Sequence, residues 1–143
     1  MPSYVTEIPA ASAVEALSHF SQKLAYETDC WDVHHALSQG ATDFVLLDVR
    51  DAQAYAAGHV PGATHFPHGK LIASKVAEWP QEMTFVVYCA GPHCNGADKA
   101  AVRLAKLGRP VKIMIGGAIG WLDEGFRHAL GAEPGSVLEL EAD

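Results

Sequence analysis

Positively charged residues are scarce in this sequence. Its 143 residues include 10 Lys and Arg against 17 Asp and Glu, which gives a formal net charge of -7 with His counted as neutral. Nucleic-acid phosphates and anionic membrane surfaces attract basic proteins, so this balance argues against both as partners.

Long apolar runs are absent, and cysteine is sparse. No apolar stretch approaches the roughly 20 residues that a membrane-spanning helix needs, and the residues after Met1 lack the charged-then-apolar layout of a signal peptide. Three cysteines are an odd number, which excludes a complete disulfide framework. We therefore expect a cytoplasmic protein without membrane attachment, whose thiols are free in a reducing compartment.

Internal repeats and low-complexity segments are also absent, and the chain has the composition of a globular domain. Apolar residues make up 49% of the chain and charged residues 19%, far from the profile of a disordered protein. The length suits one domain. Short β-branched runs alternate with helical segments, which predicts an α/β domain with a mainly parallel sheet.

Apolar spacing and capping residues predict the individual elements. Ser12 and Glu15 have capping-box spacing, which predicts a helix over about 12–23. Strands are predicted at about 24–27, 44–49, 84–88 and 111–115, and further helices at about 30–39, 52–57, 71–79, 97–107 and 121–130.

The first predicted helix carries an apolar stripe of Val14, Leu17 and Phe20. An isolated helix of this length is marginally stable in water, so the stripe needs a covering surface. We expect the helix to pack on its own domain, and a homodimer interface is the alternative.

Cys89 stands where the chain leaves a predicted buried strand and enters a loop that leads into a helix. Ligands bind beyond the carboxyl ends of parallel strands, and a helix N-terminus offers unpaired N–H groups and positive dipole charge. Such surroundings favour a thiolate nucleophile and can hold an oxyanion or the terminal sulfur of a persulfide. Free cysteines are also commonly small core residues, so placement alone leaves both roles open.

Five further stretches accompany this cysteine. They are Asp48-Val49-Arg50, Tyr55-Ala56-Ala57-Gly58-His59-Val60-Pro61-Gly62-Ala63, Val86-Val87-Tyr88 directly before Cys89, Lys99-Ala100-Ala101, and Gly116-Gly117 with Trp121. In order and spacing they resemble a single rhodanese-like domain over 24–130, with a helical extension over 1–23 and an acidic tail over 131–143. The resemblance implies a small five-stranded, mainly parallel sheet flanked by helices, here with an extra N-terminal helix.

The resemblance also implies a sulfurtransferase that needs no cofactor. In this family a cysteine thiolate takes sulfane sulfur from a donor such as thiosulfate, and cyanide or a thiol then removes it from the persulfide. Cys89 matches the carrier, while Asp48 and Arg50 match a pair near the site that we expect to brace the loop through charge-assisted hydrogen bonds. Pro92 has no N–H and would shape the loop. The remaining loop backbone would form the anion cradle: Ala90, Gly91, His93, Cys94, Asn95 and Gly96.

The loop departs from the family's common Cys-x-x-Gly-x-Arg pattern. No Arg lies between Cys89 and Ala97, and the loop is about two residues longer than usual. The missing Arg removes an anchor for an anionic donor, and His93 is the candidate source of a replacement charge. We therefore expect thiosulfate to be a poor substrate and a small-molecule or protein persulfide to be the donor.

The same loop allows other interpretations. A phosphatase of the same fold is disfavoured, because a bound phosphate would lack the loop Arg. Cys94 could resolve a modified Cys89 by forming a disulfide in thiol-redox chemistry, although we expect it only to pack beneath the loop. Cys89, His93 and Cys94 lack the second ligand pair of a zinc site, so we expect no metal. We expect Cys30 to be a core residue. A non-catalytic binding module with the same fold is the last alternative to a sulfurtransferase.

Overall fold

Five parallel strands form one sheet through the centre of the protein. The computed structural model describes residues 1–142, and Asp143, the last residue of the predicted acidic tail, lies outside the described residues. The strands are β1 Glu27–Asp29, β2 Phe44–Asp48, β3 Thr64–His65, β4 Thr84–Tyr88 and β5 Val111–Ile115. The helices are α1 Ala13–Tyr26, α2 Cys30–Ser38, α3 Ala52–Ala57, α4 Ala73–Val76, α5 Gly96–Lys106, α6 Gly117–Asp123 and α7 Val137–Leu140, with one 3-10 turn at His68–Lys70.

The strand order is β1-β5-β4-β2-β3, and each neighbouring pair runs parallel. This confirms the predicted five-stranded α/β fold with an additional N-terminal helix. β4 lies in the middle of the sheet, where Phe85, Val87 and Tyr88 are completely buried. Because the strands are parallel, the carboxyl ends of β1, β5 and β4 meet at one edge of the sheet.

The N-terminal helix confirms its predicted start but not its predicted end. The hydroxyl of Ser12 accepts a hydrogen bond from the Glu15 amide at 3.2 Å, as in an N-cap. The helix then continues to Tyr26, so the strand predicted at 24–27 is wrong and β1 begins only at Glu27. Leu24 extends the helical spacing of Phe20, and pairing with β5 decides where the short edge strand lies.

The helix predicted at 71–79 is shortened to α4 by a residue distant in sequence. The buried guanidinium of Arg109 donates to the carbonyl oxygens of Val76, Trp79 and Pro80 at 2.8, 3.0 and 2.7 Å. These carbonyls are therefore satisfied without continued helix, and the chain leaves the helical path after Val76.

The expectation that α1 packs its apolar stripe on its own domain is wrong. The helix touches β1 and β5, yet none of its residues is buried. Val14, Leu17 and Phe20 are 81%, 72% and 59% exposed. The homodimer interface named as the alternative therefore stays a prediction.

The C-terminal segment returns to the body of the domain. Val137 of α7 is buried in the core, and the Gly62 amide donates to the carbonyl of Pro134 at 2.9 Å. The buried imidazole of His59 lies within hydrogen-bond distance of the carbonyls of Tyr55 and Glu133, at 2.8 and 2.9 Å. The predicted domain limits at 23 and 130 stay predictions.

None of the helices in residues 1–142 combines the length and apolar character that a bilayer crossing demands.

Candidate active site

Cys89 follows the last residue of β4 and lies at the edge where three parallel strands end. A cleft of about 640 Å³ opens there, as expected beyond the carboxyl ends of parallel strands. Cys89, Gly91, Pro92 and Cys94 line it from the loop, and Cys30, Gly116 and Gly117 line it from other elements. All three cysteines of the chain therefore border one cleft.

The loop turns back on itself and joins two of these cysteines. The amide of Cys94 donates to the carbonyl of Gly91 at 3.0 Å, which closes a four-residue turn with Pro92 in its second position. Cys94 thereby returns to Cys89, and the two sulfur atoms form a disulfide across a Cα separation of 6.4 Å. The expectation of free thiols is thus wrong for this pair, and so is the expectation that Cys94 only packs beneath the loop.

Gly96 gives the two sulfur atoms their space. A Cβ atom at this position would lie 2.9 Å from the sulfur of Cys89 and 3.6 Å from that of Cys94. Real side chains do not make the first of these contacts, so the disulfide depends on the missing side chain.

The N-terminus of α5 faces the same sulfur atoms. Its N-cap residue, Asn95, makes no side-chain capping bond, so no cap side chain occupies the first-turn N–H groups. The helix has 11 residues and directs the positive end of its dipole toward the loop. Both features stabilise a thiolate or a persulfide anion on the reduced Cys89.

Backbone contacts with α6 hold the first residues of the loop. The amide of Ala118 donates to the carbonyl of Cys89 at 3.0 Å, and that of Ile119 donates to the carbonyl of Ala90 at 2.9 Å. Gly117 permits this approach, because a Cβ there would clash with the Cys89 carbonyl and lie 3.0 Å from the Gly91 nitrogen. Its φ of 63° also favours glycine. The helix predicted at 121–130 therefore begins earlier, at this glycine turn, and ends at Asp123.

A buried polar network lies on the other side of the strand end. Arg50 donates to both carboxylate oxygens of Asp48, with a shortest distance of 2.7 Å, and to the carbonyl of Gly58 at 2.7 Å. The hydroxyl of Tyr88 donates to Asp48 at 2.7 Å and accepts from the Val60 amide at 3.0 Å. Burial, reinforced by the charge of Asp48, raises the pKa of Tyr88 well above its ordinary value, so this hydroxyl keeps its proton.

The cleft carries negative rather than positive charge. Four acidic residues line it and, among its described lining residues, there is no Lys, Arg or His. Burial, followed by the charges of Asp29, Glu124 and Asp123, raises the pKa of the Cys30 thiol to about 12. Cys30 thus keeps its proton, and its sulfur lies 3.6 Å from the carbonyl oxygens of Ile115 and Gly117. The four lining acids are Glu27, Asp29, Asp98 and Glu124.

The predicted site residues separate into two groups. Cys89, Gly91 and Cys94 line the cleft, and Gly96 contacts the sulfur atoms from α5. His93 is exposed and, like Ala90 and Asn95, is not among the lining residues, while Asp48 and Arg50 lie behind the strand end. Within residues 1–142, no three His, Cys, Asp or Glu side chains are grouped as a metal site requires.

Two features of the site were not predicted from the sequence: the four acidic residues that line the cleft, and the close backbone contact that Gly117 permits. The acids come from β1, α5 and the end of α6, which are distant in sequence, so only the parallel sheet order could have indicated their meeting. The Gly116-Gly117 pair directly after a predicted strand was the available signal for the tight approach.

Comparisons with known proteins agree with this architecture. Residues 32–124 match the family model of the rhodanese-like domain. The solved structure of the BH2092 protein from Bacillus halodurans is similar, with a TM-score of 0.81 and 37% sequence identity, covering 85% of this chain and 88% of that chain.

Curated relatives also match in sequence, and two of them are compared with this chain below. The HTH-type transcriptional regulator Rv0324 of Mycobacterium tuberculosis is 38% identical over 96 residues, which are 66% of this chain and 42% of the regulator. The thiosulfate sulfurtransferase GlpE of Pseudomonas entomophila is 37% identical over 73 residues, 51% of this chain and 64% of that enzyme. The chain therefore spans less than two thirds of the length of either relative.

Proposed function

This chain belongs to the rhodanese-like domain family, and we propose that it is a sulfurtransferase that carries sulfane sulfur as a persulfide on Cys89. The position of Cys89 carries the proposal: it directly follows the central strand, borders the cleft and faces the N-terminus of α5. The similarity to a thiosulfate sulfurtransferase supports the same class of reaction.

In the proposed reaction the reduced Cys89 thiolate attacks the sulfane sulfur of a donor and displaces the rest of that donor as its leaving group. The dipole of α5 and the free N–H groups of its first turn stabilise the negative charge of the resulting persulfide. A thiol or cyanide acceptor then attacks the outer sulfur and regenerates the thiolate.

The charges in the cleft favour a donor with less negative charge than thiosulfate. Thiosulfate is a dianion, and it would enter a cleft with four acidic lining residues and no basic one among those described. Both the desolvation of the dianion and its repulsion by these carboxylates oppose binding. We therefore propose a small-molecule or protein persulfide as the donor, with thiosulfate a poor substitute.

The Cys89–Cys94 disulfide favours a second candidate function. A cysteine pair that closes in one loop can exchange disulfides with other thiols, which is the basis of thiol-redox proteins. In this alternative Cys89 exchanges electrons without carrying sulfur. A non-catalytic binding module stays a further alternative, and the homodimer and the cytoplasmic location stay predictions.

The intact mass of the reduced C94S variant, in which the Cys89–Cys94 disulfide cannot form, tests the proposal. After anaerobic reduction and removal of the reductant, the protein is exposed to thiosulfate or to cysteamine persulfide and then to cyanide. We expect one added sulfur atom on Cys89, more of it from the persulfide, and its loss with cyanide. C89S/C94S should gain none, whereas R103K/C94S, changed at an exposed position outside the cleft lining, should gain sulfur as C94S does. Absence of added sulfur from both donors would contradict the proposal and leave the redox alternative.

A further inference from the structure

Cys94 meets Cys89 in a geometry that sulfur transfer to an external acceptor does not require. The turn from Gly91 to Cys94 returns the second thiol to the first, and Gly96 leaves room for both sulfur atoms. A cysteine that merely filled space beneath the loop would not be bonded to the proposed carrier.

We propose that Cys94 is a resolving cysteine, which discharges the Cys89 persulfide as hydrosulfide and leaves the Cys89–Cys94 disulfide. This inference rests on the proposed function, because it needs a persulfide on Cys89. It adds a further activity to sulfur transfer: reductive release of the sulfur without an external acceptor in the releasing step.

The releasing step balances in atoms and electrons. The Cys94 thiolate attacks the Cys89 sulfur, and a new bond forms between these two sulfur atoms. The bond from Cys89 to the outer sulfur breaks, and that sulfur leaves with the electron pair as hydrosulfide. The two cysteines are oxidised to the disulfide while the sulfane sulfur is reduced. A dithiol reductant, supplied from outside, then returns both cysteines to thiols.

The surroundings suit both the attack and the departure. Cys94 is partly exposed, whereas Cys89 is only 8% exposed, so an external thiol has less access to the inner sulfur than the neighbouring Cys94 has. Hydrosulfide is an anion, and the acidic lining of the cleft repels it outward.

Cys30 borders the same cleft but is unsuited to this step. Its sulfur is buried and lies near two backbone carbonyl oxygens rather than beside Cys89. Its thiol also keeps its proton, because its pKa is raised to about 12. Of the two other cysteines that border the cleft, Cys94 is therefore the one that can resolve Cys89.

The experiment measures hydrosulfide and intact mass together in one turnover. Reduced, desalted protein is mixed anaerobically with one equivalent of cysteamine persulfide, with a protein-free sample to correct for spontaneous release. The unmodified chain and R103K, changed at an exposed position outside the cleft lining, should each release about one hydrosulfide per chain and end as the disulfide, without added sulfur. C94S should retain one added sulfur and release hydrosulfide at least tenfold more slowly, until a dithiol is supplied.

The outcomes separate the two proposals. Added sulfur on C94S with hydrosulfide release at the unmodified rate would overturn the resolving role and leave the sulfurtransferase intact. Persistent added sulfur on the unmodified chain would do the same. No added sulfur on C94S and no release from any variant would overturn the persulfide carrier itself, and the resolving role with it.

Discussion

The chain on either side of Cys89 is held by two different kinds of contact. On one side, the side chains of Asp48, Arg50 and Tyr88 form a charged hydrogen-bond network at the end of β4. On the other side, the backbone of α6 donates directly to the loop carbonyls, which is possible only because Gly117 has no side chain. A side-chain network can lose one hydrogen bond and rearrange, whereas two backbone segments in van der Waals contact cannot make room for an added side chain without moving apart.

The largest expected effect is on the glycine side. We expect G117A to lower the free energy of unfolding by about 3 kcal/mol, because a Cβ adds both a clash with the loop and left-handed backbone strain. Gly125 also has a positive φ, of 88°, but nothing lies within 4 Å of the place that its Cβ would take, so G125A should cost only about 1 kcal/mol. Urea denaturation under reducing conditions measures both, and equal losses would show that the close approach does not matter.

The side-chain network should tolerate a conservative change better. We expect R50K to cost about 1–2 kcal/mol, because one ammonium group cannot replace the forked bonds to Asp48 and the bond to Gly58. The exposed Arg103 offers the control R103K, which should change the unfolding free energy by less than about 0.5 kcal/mol. The same denaturation series tests this, and a loss for R50K above that for G117A would reverse the proposed ranking of the two supports.

The smallest effect concerns Cys30, which lies 3.5 Å from where a Cβ on Gly116 would be, next to the glycine turn. Its thiol pKa is raised from 9.0 to about 12 in the folded protein, so it keeps its proton where the unfolded chain loses it. Its contribution to stability is therefore constant below pH 9 and is lost as the pH rises toward 12.

C30S removes this titration. Between pH 8 and pH 10 the unmodified chain should lose about 1 kcal/mol more unfolding free energy than C30S, measured under reducing conditions. Tyr55, whose pKa burial raises to about 12, is present in both proteins and cancels from the difference. Identical pH dependence of the two proteins would mean that Cys30 titrates normally.

Local patterns explain why much of the fold could be predicted. Ser12, Asp29 and Asp51 cap helices through bonds to amides three residues ahead, and such bonds depend only on nearby sequence. The strand at 84–88 is continuously apolar after Thr84, as a buried parallel strand requires. The short edge strand β1 was misplaced because its position depends on pairing with β5, which no local pattern reveals.

The order of residues along the chain was sufficient to indicate the α/β sheet, the rhodanese-like family and Cys89 as the candidate carrier. Each of these depends on periodicity or on motifs that are continuous in sequence. Three features emerged only from the folded chain: the Cys89–Cys94 disulfide, the four acidic residues that line the cleft, and the exposed apolar stripe of α1. They depend on how a loop turns and on which distant elements meet. A disulfide needs two cysteines at a set distance in space, and charges interact across space, so separation along the sequence decides neither.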